Sequence, residues 1–384
     1  MNEWTAVNRA LCDCVILSEI FSQLSLCELT VCRRVCKLWL QLAESELNRR
    51  LNTEYWFFAY KKRKPFTPQG TKQNSNYLDE FTSNLEQSLN HTRLRIRPQN
   101  ALVFYGDNSD KKDRFEDLNK FFTSFPNLIP PNCRSIFIHS KCGVVGFDQQ
   151  IEPNEVLSVY TNETAVSYLF TPKYLNQQNC GIVLFDEKES LNLFDVSNPI
   201  YNNLKCVIVF RPFRSEISTA KSFEHIERMI VELRGKVAFG GAVVDVMGFY
   251  EGTHSNALFR FKFKELIGVA FYGDKVKSAS IVLRTRTETD LRNTLLNFRQ
   301  NLDFDPDFHN SKVETIGFMF IDKDRNVFTY GRLNVESQIF HEVFPKVKLN
   351  GVLCYSEGGV DYLPKQPLKT EVDGEYWHYH ATVI

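Results

Sequence analysis

The sequence predicts an α+β/α/β chain, a small all-helical module followed by a larger α/β domain built from duplicated strand–helix–strand units. Three observations predict it. Apolar residues recur at helical spacing over residues 11–50. A polar break rich in Lys, Pro, Asn and Ser follows at 60–76. Past residue 100, buried-strand runs alternate with amphipathic helices, and the order repeats.

In the helical module, Ile16, Leu17, Ile20, Phe21 and Leu24 form one stripe. Ser25 is placed to cap a second helix, with Glu28 three residues on as its capping-box partner. Leu29, Cys32, Val35, Trp39 and Leu42 continue the stripe, and Arg33, Arg34, Lys37 and Gln41 make the polar face. A module of roughly 40 residues cannot bury that much apolar surface on itself, so another protein or the following domain must cover part of it.

The break carries the run Lys61-Lys62-Arg63-Lys64, then Pro65, Pro68 and Gly70. This is linker chemistry; the basic run is a solvated linker or a nuclear localisation signal.

The first strand–helix–strand copy has a strand at Ala101–Tyr105, a helix with Phe115, Leu118, Phe122 and Phe125 on one face, and a strand at Ile136–Ile138 before a glycine turn at Gly143–Gly146. The second has Cys206–Phe210, a helix with Phe223, Ile226, Met229, Ile230 and Leu233 ending at Gly235, then Val237–Phe239 and the turn Gly240-Gly241. The third has Ile316–Ile321, a helix with Val335, Ile339, Phe340 and Val343, then Gly351–Tyr355 and the turn Gly358-Gly359. A spacing of roughly 100 residues is too long for a solenoid and suggests duplicated units sharing a sheet or facing each other. Phe259, Phe261 and Phe263 alternate with Arg260, Lys262 and Lys264, the pattern of a half-exposed antiparallel strand. Asp290–Asn301 reads as a further helix, with Thr287 and Asp290 as its capping box.

Composition narrows the function classes. The 384 residues are 43% hydrophobic and 24% charged, which suits two or three globular domains. Basic and acidic side chains number 46 each, so no global field draws the chain onto nucleic acid or an anionic membrane. No apolar run of about 18 residues is present, so no transmembrane helix is expected. Glu3, Asp13 and Glu19 interrupt the N-terminus, so no signal peptide is expected. The ten cysteines then fit reduced thiols in a cytoplasmic or nuclear protein, and the sequons at Asn90 and Asn162 are chance matches.

Candidate chemistry is sparse. Cys12, Cys14, Cys32 and Cys36 form close pairs, but Cys32 and Cys36 lie in the apolar stripe and no His accompanies them, so buried thiols are expected rather than zinc. His378 and His380 share a strand face without a third ligand nearby. The glycine turns at Gly143, Gly146, Gly240, Gly241, Gly358 and Gly359 are tight-turn residues or anion-binding nests. No nucleophile motif is present, so no catalytic residue, metal or cofactor is expected.

The segment VILSEIFSQLSLCELTVCRRVCKLWLQL, residues 15–42, resembles the F-box. Ile20-Phe21-Ser22-x-Leu24 and Val35-Cys36-Lys37-x-Trp39 carry the resemblance; the usual Leu-Pro at the motif's start is replaced by Asp13-Cys14-Val15. The remainder is similar to a FIST-type sensory domain, best over Thr315–Phe320, Asn334-Val335-Glu336, Phe344-Pro345 and Gly358-Gly359. The resemblance implies an F-box at 10–50, a linker at 51–76, and FIST-like parts at 77–200 and 201–384. It implies a non-catalytic substrate-recognition subunit of a cullin–RING ubiquitin ligase, docked on Skp1 through Ile20, Phe21, Leu24, Leu29, Val35, Cys36 and Trp39. Such an adaptor acts by proximity, raising the effective concentration of a substrate lysine. The alternative is a ligand-sensing domain with the F-box as a docking module.

Overall fold

In the computed structural model the described residues begin with three helices, α1 (Cys14–Gln23), α2 (Leu26–Cys32) and α3 (Lys37–Arg49). The structure describes residues 13–50, 53–61, 81, 83–85, 87, 94–107, 133–147, 153–156, 163–172, 179–213, 231–233, 235–251, 260–308, 313–364, 377–378 and 381–384. Local chemistry sets the helix ends. Asp13 stands where the F-box pattern has Leu-Pro, and its carboxylate accepts the Val15 and Ile16 amides at 2.8 and 3.2 Å, capping α1. Ser25 and Glu28 close the capping box of α2: the Ser25 amide donates to Glu28 at 2.8 Å and the Glu28 amide to the Ser25 hydroxyl at 3.3 Å. Leu17, Phe21, Leu29, Ala43 and Leu47 form the core of this module.

A mixed α/β domain follows. Its described strands fall into three successive sets of six: β1 (Glu54–Lys61), β2 (Pro98–Gly106), β3 (Arg134–Ser140), β4 (Gly143–Phe147), β5 (Pro153–Val156) and β6 (Glu163–Pro172); β7 (Gly181–Asp186), β8 (Leu204–Pro212), β9 (Ala238–Val244), β10 (Val246–Glu251), β11 (Arg260–Phe263) and β12 (Ile267–Tyr272); β13 (Val282–Leu283), β14 (Ile316–Asp322), β15 (Lys348–Cys354), β16 (Ser356–Gly359), β17 (Trp377–His378) and β18 (Thr382–Val383). They build three six-stranded sheets, ordered β1-β6-β2-β3-β10-β11, β7-β12-β8-β9-β16-β17 and β13-β18-β14-β15-β4-β5. The three orders are equivalent. In each, a central parallel pair (β2 with β3, β8 with β9, β14 with β15) is flanked by antiparallel neighbours.

The equivalence includes an exchange. Each set keeps four strands in its own sheet and sends its fourth and fifth to another. The first set gives β4–β5 to the third, the third gives β16–β17 to the second, and the second gives β10–β11 to the first. The repetition read from the sequence is present among the described strands, whose units run 54–172, 181–272 and 282–383. Linear alternation shows strands and says nothing of which sheet each one joins. Part of the expected linker at 51–76 is a strand. Glu54–Lys61 pairs along its length with Glu163–Phe170, while residues 62–76, with Lys62, Arg63 and Lys64, lie outside the described residues.

The central strands are apolar on both faces because both are covered. On β2, Leu102 and Phe104 face a core common to all three sheets, while Ala101, Val103 and Tyr105 face a layer with Phe81 and Leu85. On β14, Phe320 faces the common core, while Met319 and Ile321 pack beneath α6 (Glu288–Gln300) and α8 (Val335–Val343). Three phenylalanines at equivalent registers meet in the common core: Phe104 opposite Ile138, Phe210 opposite Ala242, Phe320 opposite Val352. The Phe210 ring lies 5.9 Å from Phe104 and 5.5 Å from Phe320, edge to face with both.

The helices with Phe115 to Phe125 and Phe223 to Ile230, and Phe259, lie outside the described residues. The helix of the second unit does end at Gly235, at φ 69. The strand of Phe261 is short, and Phe263 at its end is 53% exposed. Helix α6 is capped by Thr287, which accepts the Asp290 amide at 3.1 Å; Asp290 returns the contact to the Thr287 hydroxyl rather than to its amide.

Candidate functional site

Of the fifteen large apolar side chains exposed among the described residues, six belong to the helical module. Val15 (79% exposed), Val31 (65%) and Val35 (58%) stand out with Ile16, Ile20 and Leu40. Exposed apolar side chains gathered on so small a module make it a candidate interaction surface. The seven sequence-derived docking residues divide. Ile20, Val35 and Cys36 are exposed, and Leu24 and Trp39 are half-buried. Phe21 and Leu29 are corrected: at 1% and 0% exposure they are the module's own core and offer nothing to a partner. Trp39 meets Phe21 edge to face at 5.3 Å, so one side of its indole is internal. Val15, Ile16, Val31 and Leu40 were missed. A helical stripe tells that a residue is apolar, not which of two apolar faces closes on its neighbours.

The six glycines are not turns. Gly143 and Gly146 lie in β4, Gly240 and Gly241 in β9, Gly358 and Gly359 in β16. Gly241 pairs with Gly358 and Gly240 with Gly359, across the exchange between the second and third sets. Their small size serves sheet packing. A Cβ on Gly241 would collide with the Val209 carbonyl of the neighbouring strand, and one on Gly351 with that of Met319. Only Gly143 uses glycine's conformational freedom, at φ 135 where the chain passes from one sheet to another. No nest of free amides forms at these six positions, because ladder pairing engages the strands.

His378 is buried against Gly359, its Nε2 3.0 Å from the Gly359 carbonyl and its Nδ1 3.4 Å from Arg284. His380 lies outside the described residues. Among the described residues, no group of three His, Cys, Asp or Glu side chains is arranged to hold a metal.

The thiols separate by burial. Cys14, Cys27 and Cys36 are exposed, whereas Cys142 is buried in the layer under α6 and α8 and Cys354 in the common core. Burial pushes Cys142 up to about 12, helped by the Asp245 carboxylate, and Cys133 and Cys206 likewise up to about 12; Cys354 rises well above the ordinary thiol range. Maleimide added to the native chain at pH 7 is therefore expected to modify Cys14, Cys27 and Cys36, and to reach Cys142 and Cys354 only in denaturant. Intact-mass and peptide analysis reads this; native modification of Cys354 would show that its packing is open.

Three buried ionisable groups, Arg325, Glu336 and Glu357, had no sequence signal. Arg325, on α7 (Arg325–Tyr330), donates to Glu336 of α8 at 2.6 Å and to the Thr285 carbonyl at 2.7 Å, with both charges essentially unexposed. Tyr330 and Thr382 hydroxyls also donate to Glu336, so the pair is fully hydrogen-bonded and structural. Glu357, 0% exposed, accepts the Ala381 amide at 2.7 Å with one oxygen, while the other has no partner among the described residues.

Residues 15–54 match the F-box-like family. The N-terminal helices are therefore an F-box-like region, placed before a mixed α/β domain of several sheets. Comparison with curated proteins gives no match for the chain.

Proposed function

We propose that this chain is the substrate-recruiting subunit of a Skp1–cullin–F-box ubiquitin ligase, non-catalytic itself, with the α/β domain as the recruiting part. The observation that carries the reading is the exposed apolar surface of Val15, Ile16, Ile20, Val31, Val35 and Leu40 on a module that matches the F-box-like family. Skp1 is the partner whose binding would cover it. The FIST-type reading of the α/β domain belongs to this proposal; its support is the third unit, where Thr315–Phe320 leads into β14 and Asn334-Val335-Glu336 opens α8. The ligand-sensing alternative rests on the same FIST-type resemblance; the glycines marked as its candidate loops are strand residues.

Skp1 co-purification with the full-length chain tests the reading. Ile20→Glu combined with Val35→Glu is expected to weaken Skp1 capture by roughly tenfold or more while leaving helicity unchanged, since apolar anchors dominate such interfaces. Trp39→Ala is expected to weaken it too, through the interface and through lost packing on Phe21. Full Skp1 recovery with the double variant would count against the assignment.

A further inference from the structure

The F-box-like module is not tethered loosely, and one side chain accounts for this. Arg50 follows α3 directly, and its side chain is 9% exposed. A guanidinium has five N–H donors in a planar fork. Here its three nitrogens reach five acceptors. Nε bonds Glu46 of α3 at 2.8 Å. One terminal nitrogen donates to the Phe21 and Ser22 carbonyls at 2.8 and 3.3 Å. The other donates to the Leu24 carbonyl at 2.7 Å and the Arg95 carbonyl at 2.6 Å. The Phe21, Ser22 and Leu24 carbonyls stand at the C-terminal end of α1, where Phe21 also accepts the Leu24 amide at 3.2 Å. The Arg95 carbonyl belongs to the segment that enters β2.

That segment makes independent contacts to the module. The Leu26 amide donates to the Leu94 carbonyl at 2.7 Å, Arg95 donates to the Ser22 carbonyl, and Arg97 pairs with Glu44 of α3 through both terminal nitrogens. On its other side the Arg95 amide is held by Glu54 of β1 at 2.8 Å. One strap, residues 94–97, is thus bonded to α1, α2 and α3 in front and to the first sheet behind.

We propose that Arg50 is a positioning residue that locks the helical module in one orientation on the α/β domain. Resting on the ligase reading above, this sets a fixed separation between Skp1 and whatever the α/β domain carries. Charge-assisted bonds from one buried guanidinium to carbonyls of α1 and of the strap make the locked arrangement the favoured one. Lysine at this position keeps the charge but lacks the fork, so it cannot bridge α1, α3 and the strap together.

The test is a distance distribution. Spin labels are placed on Cys27 and on Leu191→Cys in the full-length chain, with the other reactive thiols replaced by serine, and read by double electron–electron resonance. One narrow peak is expected, broadening in Arg50→Lys. Because Arg50 also bonds the end of α1, a second variant, Arg95→Gln with Arg97→Gln, cuts the strap contacts and leaves the module's core intact; it is expected to broaden the distribution with Skp1 capture retained. A broad distribution in the unaltered chain, or a narrow one in both variants, overturns the proposal. Failure to bind Skp1 overturns the ligase reading and leaves the distance result standing by itself.

Discussion

Phe210→Ala is expected to lower the stability of the α/β domain by about 3–5 kcal/mol, the range for deleting a fully buried phenylalanine. Phe210 is 0% exposed and stands between Phe104 of the first unit and Phe320 of the third. Its removal strips one ring contact from each neighbouring unit and leaves a cavity where three sheets converge. Relaxation cannot fill that cavity cheaply, because each sheet is pinned by strands from another unit.

The same exchange fixes how the loss is seen. No unit can leave alone without stripping two strands from a neighbouring sheet. The three units are therefore expected to unfold together, and Phe210→Ala to shift one urea transition to lower concentration without splitting it. Circular dichroism and tryptophan fluorescence followed on the same samples check this. Two separated transitions, or a loss below about 1 kcal/mol, would show that the units hold themselves up independently.

How far the sequence could be read follows from what each signal encodes. The capping box at Ser25 and Glu28 was legible because it is a local interaction with a fixed offset. The three repeats were legible because strands buried on both faces are apolar throughout. The cyclic exchange was not, since strand partners are chosen by long-range packing and β4, β10 and β16 look like ordinary continuations of the strand before them. Glycine was misread for a related reason. A glycine that ends a strand and one that lets two strands approach, such as Gly241 against Val209, share one letter. In the module, the apolar stripe leaves its division open: Phe21 and Leu29 are inward, while Val31 and Leu40, outside the named stripe, are outward. Arg50's bridging was invisible because four of its five acceptors are backbone carbonyls from Phe21 to Arg95, and no residue type announces a carbonyl.

Glu357→Gln is expected to stabilise the protein, and increasingly so as pH rises. Burial, and next the Asp322 carboxylate, push the Glu357 carboxyl from its ordinary 4.5 up to about 9, against the opposing bond from the Ala381 amide and the more distant Arg325. The folded chain therefore holds a proton that the unfolded chain releases above pH 4.5. Between 4.5 and about 9 the native state binds more protons than the unfolded state, so stability falls as pH rises through this window. At pH 7 the cost is about 3 kcal/mol, at 1.36 kcal/mol per pH unit. Glutamine keeps the oxygen that accepts from Ala381 and removes the titration. Unfolding free energies of both proteins between pH 5 and 8.5 should lie close at the acid end and diverge toward the alkaline end. Parallel curves would mean that Glu357 is ionised in the fold, its charge met by groups closer than Arg325.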